Sequence, residues 1–170
     1  ISLAATILGM YQMQELEFER ESGVELDIIL LIVAQCGVYV YTSFNVIGSS
    51  FWKSDANYLA IFTTILKLIQ ATMQSIFVLH ASRRICVTPE QEDKKPGREM
   101  VIFLLICNLS MWFLNVFKSS HPDEYPTQLA FYGTWGWTII SHVSMPLAIF
   151  YRYHITVCLA EIWKRSYKMK

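Results

Sequence analysis

Charge is what this sequence has least of. Of its 170 residues only 16% are Asp, Glu, Lys or Arg, against about 25% in ordinary soluble domains. The formal net charge is zero, which speaks against a basic arm or a nucleic-acid partner. Cys36, Cys86, Cys107 and Cys158 are widely spaced, and three of them stand in apolar runs. There a thiol behaves as a small hydrophobe, so neither a disulfide framework nor a metal site is read from them. No CxxC, HExxH, P-loop or GxSxG occurs, and no nucleophile–base set or metal-ligand spacing is present. No enzyme activity and no cofactor are expected.

What the chain does have is length in hydrocarbon. It is 54% hydrophobic and 14% aromatic, with a mean hydropathy of +0.34. A bilayer is crossed by about 20 apolar residues at ~1.5 Å each, and the apolar runs predict helices over about 1–14, 26–47, 57–80, 99–117 and 128–163. The fold class is therefore all-α, a polytopic transmembrane helical bundle. Ile1 already lies inside an apolar segment, with no methionine and no signal-peptide n-region before it. The expectation is a stretch of a longer polytopic protein, beginning partway through a helix. Between runs three and four, TPEQEDKKPGRE forbids a continuous helix through its prolines and glycine. Arg20, Arg83, Arg84, Lys94, Lys95 and Arg98, with Lys164, Arg165, Lys168 and Lys170 in the tail, fall on one side of five alternating spans. Only Lys53 and Lys118 fall in the loops of the other. The positive-inside rule then makes the C-terminus cytoplasmic.

The last run organises the rest. From Trp135 to Glu161 it reads WGWTIISHVSMPLAIFYRYHITVCLAE, apolar but interrupted by His142, Pro146, Tyr151, Arg152, His154 and Glu161. Residues 127–163 make about 55 Å of helix against a hydrocarbon core of ~30 Å, so a tilt, a bend at Pro146 or a cytoplasmic extension is expected. Arg152 and Glu161 are expected near the inner interface, snorkelling to water. His142 suits a proton relay or gate, or a neutral packing role, and Lys67, Gln74 and Glu161 are the other candidates for a relay or gate. Nine steps of about 100° put His142 opposite Tyr151 on a straight helix.

In the third run Lys67, Gln70 and Gln74 share one face. Gln70 reads as functional, and Gln74 as interhelical glue or part of a shared role. Asn108 stands at mid-span in the fourth run, where its amide must find partners; glue and pore lining are both open. His121, Asp123 and Glu124 flank Pro122 in an outer loop, as an external pH or divalent-metal sensor or as simply solvated groups.

FYGTWGWTIISHVSMPLAIFYRYHITVCLAEIWK closely resembles the final helix of the otopetrins, a family of acid-activated proton channels. LKLIQATMQSIFVLHASRR and ICNLSMWFLNVF resemble the two helices before it. The likeness covers about 56–168. It implies a twelve-helix subunit built of two six-helix barrels, working as a homodimer in the cell membrane with both termini cytoplasmic. This chain then supplies the last five helices of the C-terminal barrel, and its partners are the N-terminal half of the same protein, the lipid bilayer and a sterol. The family's polar cluster of glutamine, asparagine and tyrosine falls on Gln70, Asn108 and Tyr151. The function so implied is passive, proton-selective conduction. A proton-coupled secondary transporter and a non-conducting membrane scaffold are the alternatives.

Overall fold

The computed structural model describes residues 1–18, 25–51, 55–119 and 126–167. Helix α1 spans Ser2–Gln12 and runs into a 3-10 turn, Met13–Glu15. The other helices are α2 Glu25–Ser50, α3 Asp55–Ala81, α4 Pro89–Lys94, α5 Arg98–Ser119 and α6 Pro126–Arg165. Hydrocarbon offers the backbone no hydrogen-bond partners, so a chain this apolar satisfies itself within each helix. Among the described residues four helices, α2, α3, α5 and α6, are long and apolar enough to cross a membrane. The other run expected from the sequence, about 1–14, corresponds to α1, whose 11 residues make about 16 Å, in keeping with the expectation that the sequence begins partway through a helix.

The helices close on one another. α2 packs on α3 and α6, α3 on α1, α1 on α5, and α5 on α6, while α3 and α6 also touch across the ring. The inner surface is built from Leu31, Ala34, Ala71, Phe77, Val101, Leu104, Ile155 and Leu159, all buried; Ile65, Ile69, Ile106, Phe113 and Val143 face outward. The α2–α6 crossing is tightest at Gly37, where the Cβ of Leu147 occupies the place a side chain would need. In α6 the helical dihedrals break at Gly133 (φ 70°, ψ 166°) rather than at the expected Pro146. A residue without Cβ takes that conformation freely, and a membrane helix absorbs a proline without leaving helical geometry.

At the end of the bundle carrying Arg83, Arg84 and Arg98, short-range devices hold the connections. Pro89 opens α4 instead of merely interrupting: Thr88 and Gln91 form a capping box, and Lys95 in the left-handed region (φ 43°) ends the helix. Gln91 also donates to the Glu15 carbonyl at 2.7 Å. Arg84 donates to the carbonyls of Gln14 and Leu16, and Glu17–Phe18 pairs antiparallel with Arg84–Ile85. The end of α1 is thereby tied to the end of α3. Cys86 is fully buried here, and burial, followed by the nearby Glu92 carboxylate, pushes its thiol pKa above the ordinary value.

Candidate functional site

Polar side chains from α2, α3, α5 and α6 meet in the bundle interior, and the centre of the meeting is Arg152. Its Nη1 donates to Gln74 Oε1 at 3.1 Å and to Asn108 Oδ1 at 3.0 Å, and its Nη2 donates to Gln70 Oε1 at 3.0 Å. The expectation that Arg152 snorkels to the interface is wrong: only 6% of it is exposed. The energetics explain why. A charge at membrane depth costs about 2.5–3.5 kcal/mol on insertion scales, and each hydrogen bond to a charged group contributes about 1.5–3 kcal/mol. Three such bonds outweigh the cost, so the guanidinium has no need of water.

The local sequence sets this up. Gln70 and Gln74 are one turn apart on α3 and present their carbonyl oxygens to the same fork. Asn108 is oriented from both ends, because its Nδ2 donates to the Leu104 carbonyl at 2.8 Å while Oδ1 meets Arg152. Gln74, 1% exposed, is more deeply buried than the half-buried Gln70. With its oxygen engaged by Arg152, the Gln74 Nε2 is left buried with no acceptor.

Tyr151 belongs to the same neighbourhood by a different route. It makes no hydrogen bond to Gln70 or Asn108 among the described residues, and its ring centroid lies 5.5 Å from the Arg152 Cζ. Its hydroxyl donates to the Ala71 carbonyl at 2.6 Å and meets Ser75 Oγ at 2.9 Å, and Ser75 meets Gln35 Oε1 at 2.7 Å. Two hydroxyls carry two protons, one fewer than these three contacts need. Turning the Gln35 amide over removes the deficit. Its Nε2, otherwise buried without an acceptor, then donates to Ser75, Ser75 to Tyr151, and Tyr151 to Ala71.

The remaining candidates lie elsewhere. His142 is exposed on the outer face of α6, its Nδ1 2.8 Å from the Thr138 carbonyl, away from buried Tyr151. Lys67 is exposed on α3. Glu161 is exposed and, with Asp27 and Arg165, lines a small cleft between the start of α2 and the end of α6. His121, Asp123 and Glu124 lie outside the described residues. Among the described residues no group of three or more His, Cys, Asp or Glu is placed to hold a metal.

Sequence reasoning missed Arg152 as the hub, and with it Ser75 and Gln35. A signal was present. In sequence, the acidic residues of the four long helices, Glu25, Asp27, Asp55, Glu99 and Glu161, all fall near helix ends. An arginine held inside such a bundle has amides as its partners, and Gln70, Gln74 and Asn108 are the amides at matching depth.

Comparison with known sequences identifies the family. The otopetrin family model matches residues 1–153. The chain is 48% identical to the proton channel OtopLc of Drosophila melanogaster over 98% of its own length and 10% of that protein's. It is 32% identical to the proton channel OTOP1 of Danio rerio over 51% of this chain and 15% of that protein, and 24% identical to human proton channel OTOP3 over 95% and 34%. The chain thus spans a tenth to a third of the length of these relatives. A family model that covers nine-tenths of the sequence, on a bundle of membrane-length helices closed around an arginine and its amides, leaves one assignment: this chain belongs to the otopetrin family.

Proposed function

We propose that this chain is part of a proton-selective channel of the cell membrane that passes protons down their electrochemical gradient when the outside is acidic. The observation that carries the reading is the polar layer inside an apolar bundle, found in a member of a family whose relatives are named proton channels. Gln70, Asn108 and Tyr151 serve as the polar constriction, each able to donate and accept hydrogen bonds. None of the three titrates readily near neutral pH, so they order water and hydroxyl partners rather than store charge. Buried aliphatic and aromatic neighbours keep hydrated metal ions from entering, as hydrophobic constrictions do.

The chain forms the last helices of a C-terminal six-helix barrel. It packs against the N-terminal half of the same subunit, with lipid and a sterol around it, in a homodimer whose C-terminus is cytoplasmic. His142 faces the boundary with that other half, and Glu161 stands at the inner mouth. His121, Asp123 and Glu124 remain an outer sensor, solvated or metal-binding.

The test is acid-evoked current in cells expressing the whole protein. Gln70→Ala, Asn108→Ala and Tyr151→Phe are expected to change proton current while surface expression persists. Wild-type currents from all three variants remove the site. A full-length protein at the surface with no acid-evoked current favours the scaffold, and current coupled to a solute gradient favours the transporter.

A further inference from the structure

We infer that Arg152 keeps metal cations out of this bundle by occupying, with a fixed positive charge, the amide oxygens that would otherwise ligate them. The inference rests on the channel reading and goes beyond it by assigning a selectivity element.

A Na⁺ or K⁺ ion enters a narrow path only where protein oxygens replace its water, as rings of carbonyl oxygens do in cation filters. Three amide oxygens converge in this interior from two helices, Gln70 Oε1, Gln74 Oε1 and Asn108 Oδ1, and all three lie 3.0–3.1 Å from guanidinium nitrogens of Arg152. Three oxygens of the kind a metal ion requires are gathered here and already engaged. The guanidinium is permanently charged and fork-shaped, and none of its hydrogen bonds within the described residues goes to a carboxylate. A further amide donor of the same cluster, Gln74 Nε2, is buried without a partner.

A proton meets a different situation. It too is repelled by the charge, but it moves by exchanging bonds along hydroxyls and water and needs no cage of free oxygens. A pair of exchanging hydroxyls, Ser75 and Tyr151, lies beside the guanidinium, held between Gln35 and the Ala71 carbonyl, where water can join it to a longer path. Taking the amide oxygens therefore penalises metal ions over and above the repulsion common to every cation. Removing Arg152 has the opposite consequence, since it leaves three carbonyl oxygens around the volume the guanidinium has vacated.

The experiment is whole-cell recording of the full-length protein, with surface expression measured in parallel and external Na⁺ or K⁺ exchanged for a large organic cation. In the wild type and in Arg152→Lys, which keeps the charge, the reversal potential is expected to follow the pH gradient alone. In Arg152→Ala, metal-cation permeability relative to protons is expected to rise at least about tenfold, because the freed amide oxygens can then replace a metal ion's water, whereas loss of the charge helps every cation alike. Arg152→Gln has no charge but restores a donor to the amide oxygens. Its amide has only two N–H donors for three oxygens, so it fills the site better than alanine, leaves at least one oxygen open, and must also admit metal ions. An Arg152→Gln or Arg152→Ala channel at the surface whose reversal potential still tracks pH alone overturns the inference and leaves the channel reading standing. Metal permeation through Arg152→Lys equal to that of Arg152→Gln overturns it as well, since charge would then not be the cause. A wild-type protein at the surface with no acid-evoked current removes the channel reading and the inference together.

Discussion

Replacing Gly37 by alanine is expected to pry α2 from α6. A Cβ built on Gly37 falls on the Cβ of Leu147 and comes within 3.1 and 3.2 Å of its Cδ1 and Cγ. Carbon atoms pack best at about 3.5–4.0 Å, so the two helices must part locally by roughly 1.5 Å to admit one methyl group. Turning the side chain aside does not help, because the obstructing atom is a Cβ fixed to the backbone. Overpacking of this kind costs about 1–3 kcal/mol, and here it strikes the seam that carries Arg152 and Tyr151 on one side and Gln35 on the other. The assay is the melting temperature of the purified full-length protein in detergent, expected to drop by several degrees for Gly37→Ala. A second substitution sharpens the argument. Leu147→Ala keeps the offending Cβ and should not rescue Gly37→Ala, whereas Leu147→Gly removes it and should recover part of the loss, despite the ~1 kcal/mol that glycine costs inside a helix. Gly37→Ala melting with the wild type, or rescue by Leu147→Ala as large as by Leu147→Gly, refutes the steric reasoning.

Two further outcomes follow from the clipped end of the bundle. Cys86 should resist maleimide labelling from neutral pH to beyond its ordinary value of 9.0, because burial and Glu92 disfavour the thiolate. Since the folded state then holds its proton longer than the unfolded one, the thiol's contribution to stability is complete below 9.0 and is lost as pH rises past that value toward the raised one. Mass-spectrometric assignment of the labelled peptide checks this, and labelling at neutral pH as fast as in denatured protein contradicts it. Gln91→Leu removes the bonds to Val87, Thr88 and Glu15, a loss of about 1–2 kcal/mol by the usual worth of a helix N-cap. Faster limited proteolysis within 86–98 is the expected readout, and an unchanged rate shows that the clip does not hold the loop.

How far the site was legible follows from what each residue asks of its surroundings. Gln70 and Asn108 could be picked out because an amide at mid-span must find a partner, and that requirement needs no coordinates. Tyr151 came from family likeness, since a tyrosine in an aromatic-rich helix carries no distinguishing mark of its own. Arg152 was misplaced. Its distance along α6 from the basic end made snorkelling the default, and a linear sequence does not show that two helices away Gln70 and Gln74 point their oxygens at it. Gln74, weighed as glue or part of a shared role, proved the more buried of the two glutamines, and its oxygen meets the same guanidinium.

By itself the sequence determined what depends on solvent. Long apolar runs in a chain so poor in charge had to become helices, and amides stranded within them had to turn inward. The closure of the ring through α1, the crossing at Gly37 and the break at Gly133 were decided only in three dimensions, as was the choice of Arg152 as the common partner of three amides. Each depends on which helix lies opposite which and at what height, and that is set by packing shape, to which hydropathy is blind.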